Sequence, residues 1–110
     1  MTYYIVKYEH TELERWEQFM APHIIYLAGL IKQEKLLMSG PIKNNDETVN
    51  EAMLIFSVDD RDELQSLMEN DPYWREDLIS DYTVYEWEPL FGQLGASPEE
   101  IEEYFKNQKQ

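Results

Sequence analysis

Two histidines are the side chains of this sequence best suited to moving protons near neutral pH. His23 follows Phe19 by four residues and precedes Leu27 by four, a spacing that places it on the apolar stripe of a helix. There it could be a structural histidine of the interior or a general base. His10 lies among polar residues in front of that helix, and we expect it to be exposed.

Two further segments carry polar groups where the chain is expected to turn. In Asp71-Pro72-Tyr73, an aspartate before a proline is a common start for a helical turn, with the carboxylate accepting hydrogen bonds from the following amides. Ser39-Gly40-Pro41 follows a short apolar run and could simply end a strand. Its glycine would also let a ligand or another backbone approach closely.

The pattern of apolar residues predicts the elements that must position these groups. Short runs rich in β-branched and aromatic residues predict strands over residues 3–8, 36–39, 52–58 and 82–87. Gly40-Pro41 is expected to stop the second strand, and the polar stretch 43–50 to connect a hairpin. A helical period begins at Glu12, and Pro22 predicts a kink or two helices meeting near Ala21.

A second helix is predicted from Asp59 or Asp60, as its cap, to about Glu69, followed by a short turn at Asp71-Pro72. The segment 97–100, Ser-Pro-Glu-Glu, has the capping-box spacing and predicts a C-terminal helix. The order is therefore the α+β, ferredoxin-like βαββαβ pattern, with a four-stranded antiparallel sheet plus a C-terminal helix. We assign residues 1–92 to this domain and 93–110 to a C-terminal helical extension.

Both faces of the predicted sheet are apolar. On the first strand Tyr4, Val6 and Tyr8 share one face and Tyr3 and Ile5 the other, while residues 53–56 are apolar on both. Two helices can cover only one face, so the other is expected to pack on the same face of a second copy, in a homodimer or a higher homo-oligomer. The competing explanation is that the C-terminal helix covers its own sheet.

Composition excludes several classes of partner. The 110 residues carry a net charge of −14, which repels nucleic acid and anionic membrane surfaces, so neither is an expected partner. Cysteine is absent, and two histidines without ligand spacing predict no metal site. The start lacks the features of a signal peptide and no apolar run approaches about 18 residues, so we expect a cytoplasmic location.

Four segments together resemble the YCII-related family, and the resemblance covers residues 1 to about 90. The matching segments are Pro22-His23 with Tyr26-Leu27, the run 36–41 ending in Ser39-Gly40-Pro41, the run 52–56, and Asp71-Pro72-Tyr73. The resemblance implies a dimeric α+β barrel assembly of ferredoxin-like subunits. It also implies that His23 and Asp71 form the active-site pair, with Ser39, Gly40, Pro41 and Tyr73 binding substrate.

The reactions of similar proteins suggest an activity. Relatives of this family include a dehydrochlorinase acting on a chlorinated hydroxyhydroquinone, and the wider superfamily contains muconolactone isomerases. The resemblance therefore implies a small enzyme of lyase or isomerase type, without a cofactor, acting on a small organic substrate through its His-Asp pair. The alternative is a non-catalytic module for small-molecule binding or dimerisation.

The chain departs from the family pattern at one place. Directly after the Asp-Pro-Tyr triplet it has Trp74-Arg75-Glu76-Asp77, where the family commonly has small residues. This difference changes the volume and charge expected beside the cleft, so the identity of the substrate does not carry over.

Overall fold

The computed structural model describes residues 1–108 and has the predicted α+β fold. Its elements, in chain order, are β1 Thr2–His10, α1 Leu13–Gln18, α2 Met20–Lys32, β2 Leu36–Ile42, β3 Asn50–Val58, α3 Arg61–Glu69, α4 Pro72–Arg75, β4 Asp81–Trp87 and α5 Pro98–Gln108. Within these residues, no helix combines the length and the apolar composition that crossing a membrane requires.

The four strands form one antiparallel sheet in the order β2-β3-β1-β4. The long β1 is central, and its Val6 lies opposite Leu54 on one side and Val84 on the other. In each βαβ unit the two strands are separated by one strand of the other unit: β3 lies between β1 and β2, and β1 lies between β3 and β4. This order is the ferredoxin-like arrangement. The fold class predicted from the sequence is confirmed.

The core lies between one face of the sheet and helices α2 and α3. Alternate residues of β1 from Tyr4 onward point to this face and are buried. Leu30 of α2 and Leu64 and Met68 of α3 pack in the same cluster. Each such side chain, when fully buried, contributes about 1.5–3 kcal/mol to folding. We call this side of the sheet the covered face and the opposite side the open face.

The first helical segment divides earlier than expected. We predicted a kink or a junction near Ala21, and the structure has two helices that meet at Phe19, whose φ of −100° and ψ of 8° end α1. Pro22 is the third residue of α2, where the first-turn amides have no partner within the helix, so its missing N–H costs little. The proline therefore follows the break instead of marking it.

The prediction that β2 stops at Gly40-Pro41 is wrong, because the strand continues to Ile42. Pro41 lies opposite Ala52 of β3. Proline is tolerated here because β2 is an edge strand and the side without a neighbour needs no donor. A register shift between Leu36 and Met38 also bends the start of this strand.

The capping box of the last helix is present as predicted. Ser97 Oγ accepts a hydrogen bond from Glu100 N at 3.1 Å, and the Glu100 carboxylate accepts one from Ser97 N at 3.2 Å. No residue of α5 is buried. On the open face Met53, Tyr85 and Trp87 stay exposed, so the explanation in which α5 covers its own sheet is wrong.

Candidate functional site

His23 and Asp71 come from different elements and meet at the covered face. His23 lies in the first part of α2, and Asp71 precedes the first residue of α4. His23 Nδ1 is 2.9 Å from each Asp71 carboxylate oxygen. Since an ionised carboxylate only accepts, Nδ1 is the donor of this contact, and in a neutral imidazole the lone pair is then on Nε2. The Asp71 side chain is 2% exposed and that of His23 is 13% exposed, so solvent reaches the pair through the imidazole.

Asp71 also caps α4. Its Oδ1 accepts a hydrogen bond from Tyr73 N at 2.9 Å, and its extended backbone is typical of a cap residue. The sequence left open whether this aspartate caps a turn or orients the histidine. In the structure both contacts exist at once, and the cap holds the carboxylate in the orientation in which it meets the imidazole.

Tyr73 fixes the plane of the imidazole. Its ring stacks on His23 with the centroids 4.0 Å apart and 19° between the planes. Tyr73 is buried, so the stack forms the inner wall of the site. With one edge held by Asp71 and one face by Tyr73, the histidine has little freedom to rotate.

His10 is buried with 2% of its surface exposed, and the expectation that it is exposed is wrong. β1 runs two residues beyond the predicted end at residue 8, which places His10 on the covered face beside Tyr8. His10 Nδ1 donates a hydrogen bond to Leu78 O at 2.8 Å. Burial lowers the pKa of His10 below its usual value, which favours the neutral form.

Three aromatic residues that the sequence did not assign to the site form a connected group with Tyr73, two of them directly and Tyr8 through His10. The ring of His10 is 4.9 Å from Tyr73, that of Trp16 is 6.0 Å from Tyr73, and Tyr8 contacts His10 at 6.1 Å. We call Tyr8, His10, Trp16 and Tyr73 the aromatic cluster. The period-two alternation of β1, followed to its true end, would have placed two of them on the covered face.

The aromatic cluster contains buried polar atoms without a hydrogen-bond partner. Within the described residues these atoms are Tyr8 Oη, Trp16 Nε1 and Tyr73 Oη. A buried hydroxyl or indole N–H normally has a partner, because leaving it unpaired costs roughly 1–3 kcal/mol. Three such groups beside the His-Asp pair therefore make this interior chemically different from an ordinary apolar core.

The tyrosines near Asp71 are held neutral. Burial and the negative charge of Asp71 raise the pKa of Tyr26 and of Tyr73 to about 12, and the same causes raise that of Tyr8 well above its usual value. Tyr26 already donates its hydroxyl hydrogen to Leu67 O at 2.6 Å. These phenols can therefore donate hydrogen bonds, but they do not act as bases near neutral pH.

The segment Ser39-Gly40-Pro41 lies on the edge strand. Ser39 is opposite Leu54 and Pro41 opposite Ala52, so both side chains are on the covered face, whereas Gly40 is opposite Met53 on the open face. A Cβ at Gly40 would meet no atom within 4 Å, so the fold does not require glycine there. Within residues 1–108, no hydrogen bond joins these three residues to His23 or Asp71.

Two surface depressions lie elsewhere. One, of about 260 Å³, is lined by residues of α4 and β4 and the chain between them, and another, of about 440 Å³, lies at the other end of β1 and β4. Neither is lined by His23 or Asp71. At the pair itself, the imidazole is the part that solvent reaches.

The comparisons with known proteins agree with this fold. The family model described as the YCII-related domain matches residues 1–88. The chain belongs to the YCII-related family. The resemblance inferred from the sequence is thus confirmed. A search of curated proteins finds no match.

Two solved structures are similar. One is the 5-chloro-2-hydroxyhydroquinone dehydrochlorinase from Burkholderia phenoliruptrix AC1100 in complex with 2,5-dihydroxybenzoquinone, with 23% identity, a TM-score of 0.67, and coverage of 86% of this chain and 99% of that one. The other is an uncharacterized NIPSNAP domain protein from Burkholderia xenovorans, with 17% identity, a TM-score of 0.49, and coverage of 88% of this chain and 100% of that one. The first likeness supports the fold.

Proposed function

We propose that this protein is a small, cofactor-independent enzyme of the lyase or isomerase type, which moves a proton on a small oxygenated organic substrate. His23 is the general base and Asp71 orients it. The observation that carries the proposal is the 2.9 Å contact between His23 Nδ1 and a buried carboxylate, which leaves Nε2 available. Membership of the YCII-related family and the similar fold of a dehydrochlorinase support the choice of reaction class.

The proton transfer starts at Nε2. This nitrogen takes a proton from a carbon made acidic by a neighbouring carbonyl, such as the keto tautomer of a hydroxylated ring, and the freed electron pair forms a carbon–carbon double bond. In an elimination, the leaving group departs with its own bonding pair, whereas in an isomerisation the proton returns at another carbon. The Asp71 carboxylate stabilises the imidazolium formed in this step, and a base of this kind accelerates a reaction by about 10²–10⁴-fold.

The surroundings of the pair supply recognition. The unpaired Tyr8 and Tyr73 hydroxyls and the Trp16 N–H can donate hydrogen bonds to oxygen atoms of a substrate. Pro41 and Tyr8 both lie opposite Ala52, so Pro41 shares a cross-sheet row with one member of the aromatic cluster, and Ser39 lies on the same face opposite Leu54. We assign the substrate-binding role of the segment to these two residues, with Gly40 between them on the open face.

We propose that two copies associate through their open faces. Ile5 lies opposite Ile55 and Tyr85 at the centre of that face, and Trp87 and Met53 extend the apolar surface along the sheet. A contiguous group of exposed apolar side chains on one face of a sheet is typical of an interface between subunits. A homodimer would bury it while leaving both His-Asp pairs on the outer, helix-covered sides.

The test follows proton exchange and chloride release. The protein is incubated in D₂O with hydroxyhydroquinones, their chlorinated forms and unsaturated lactones, and loss of each C–H signal is followed by NMR. We expect exchange or elimination for the wild type, a loss of about 100-fold or more for His23→Gln, and a large loss for Asp71→Asn. Asp62→Asn, an exposed acid with the same change of charge, is the control.

The outcomes separate the two classes of function. If the wild type binds compounds from this set but neither exchanges nor eliminates, the chain is a non-catalytic binding module. If it turns a compound over and His23→Gln does so equally well, the assignment of His23 as base is wrong.

A further inference from the structure

A second candidate site lies outside the His-Asp pair, in the depression of about 260 Å³ formed by α4, β4 and the chain between them. Its lining residues are Trp74, Asp77, Ile79 and Tyr82. Neither the proposed base nor the aromatic cluster takes part in it. Any ligand bound here is therefore independent of the proposed function.

Two of the lining side chains form an aromatic corner. The rings of Trp74 and Tyr82 lie with centroids 5.2 Å apart and 58° between their planes. Trp74 and Ile79 are partly buried against the core, so this wall is held in place, while Tyr82 is 39% exposed. Two ring faces that meet at an angle attract a cation, and tryptophan does so most strongly.

The third wall carries an unpaired negative charge. Asp77 adopts a left-handed backbone conformation with φ of 55°, and within residues 1–108 no lysine or arginine nitrogen lies within 4.0 Å of its carboxylate. Arg75, the cation nearest in sequence, donates to Asn70 at 2.6 Å, and Arg15 pairs with the neighbouring Glu76 at 3.3 Å. Asp77 therefore remains available to a cation in the pocket.

Size and field restrict the ligand further. The volume is below the roughly 300 Å³ at which pockets for drug-sized ligands begin, so it fits a small head group. The net charge of −14 attracts cations and repels anions over the whole surface. A metal ion in water is strongly hydrated and gains little from ring faces, whereas an alkylated ammonium is weakly hydrated and can contact both the rings and the carboxylate.

We propose that this pocket binds a small organic ammonium ion, with the cation against the faces of Trp74 and Tyr82 and Asp77 as its counter-ion. Ile79 supplies the apolar contact for the alkyl groups. The site is a binding site separate from the proposed reaction centre.

The test uses choline as the probe and 3,3-dimethylbutan-1-ol, its uncharged counterpart of the same shape, as the comparison. Binding to the full chain is followed through backbone amide shifts in ¹H–¹⁵N NMR at low salt. We expect choline to shift the amides of Trp74, Asp77, Ile79 and Tyr82, and the neutral alcohol to bind at least about threefold more weakly.

Matched variants assign the interaction. Asp77→Asn keeps a residue that tolerates the left-handed conformation and should weaken choline binding about threefold or more, whereas Asp62→Asn removes the same charge elsewhere and should not. Tyr82→Phe keeps the ring and should keep binding, while Tyr82→Leu should weaken it about two- to fivefold. Equal binding of both probes, equal behaviour of the two aspartate variants, or shifts only at other residues would each overturn the proposal.

Discussion

The hydrogen bond between His23 and Asp71 predicts a specific energetic coupling, which a double-mutant cycle measures without a known substrate. Asp71→Ala removes the cap of α4, worth about 1 kcal/mol, and a hydrogen bond to a charged group, worth about 1.5–3 kcal/mol. The single variant should therefore lose about 2.5–4 kcal/mol. In a His23→Ala background the hydrogen bond is already absent, so the same change should cost only about 1 kcal/mol.

The difference between these two costs is the coupling energy, about 1.5–3 kcal/mol. It is measured by urea unfolding of the wild type, the two single variants and the double variant, followed by tryptophan fluorescence and far-UV circular dichroism. All four are compared at one protein concentration, because self-association would add to apparent stability. Unchanged denaturant slopes show that the unfolded state is not the source of the difference.

A matched control comes from α3, another helix capped by an aspartate. Asp60 caps α3 by accepting a hydrogen bond from Glu63 N at 2.8 Å and has no histidine partner. Asp60→Ala should cost about 1 kcal/mol with or without His23, within the roughly 0.5 kcal/mol expected for independent sites. If the Asp71 cycle is also additive to within about 0.5 kcal/mol, Asp71 is only a cap and the orienting role is refuted.

Two further predictions concern pH and assembly. Burial lowers the pKa of His10 in the folded state, so the unfolded state binds its proton more readily. The free energy of unfolding should therefore be unaffected by His10 above pH 6.5, the unfolded-state pKa, and should fall as the pH drops from 6.5 toward the folded-state pKa. His10→Asn keeps a donor for Leu78 O but does not titrate in this range, so its urea midpoint should vary less than that of the wild type between about pH 5 and 8. An equal change of midpoint with pH in the two proteins would contradict this. Ile5→Asp places a charge at the centre of the open face. At micromolar concentration, light scattering should give twice 13.2 kDa for the wild type and 13.2 kDa for the variant, and a monomeric wild type would disprove the interface.

The fold was predictable because local patterns and the global arrangement agree. The short runs of β-branched and aromatic residues predict all four strands, and the cap signals at Asp59 or Asp60 and at Ser97 predict where α3 and α5 begin. The errors fall at boundaries. Pro22 predicts an interruption and Gly40-Pro41 a strand end, but a proline is accepted in the first turn of a helix and on an edge strand. Which strand is at the edge is a property of the sheet, not of the local sequence.

The site was less predictable than the fold. His23 and Asp71 are 48 residues apart, and neither spacing nor periodicity indicates that they meet; only the family resemblance suggested it. The aromatic cluster was missed for a local reason. Glu9 and Thr11 make the surroundings of His10 polar in sequence, yet strand alternation sends Glu9 to the open face and His10 to the covered one.

The position of His10 also has a consequence for the proposed base. Two histidines lie on either side of Tyr73, at 4.9 Å and 4.0 Å between ring centroids, but their partners differ. His10 Nδ1 binds an uncharged carbonyl, and burial disfavours its protonated form, so protonating it would place an unpaired charge in the core. His23 binds a carboxylate that would stabilise the charged imidazolium. The same ring is therefore a structural donor on one side of Tyr73 and can accept a proton on the other, and the difference lies in the partner of Nδ1.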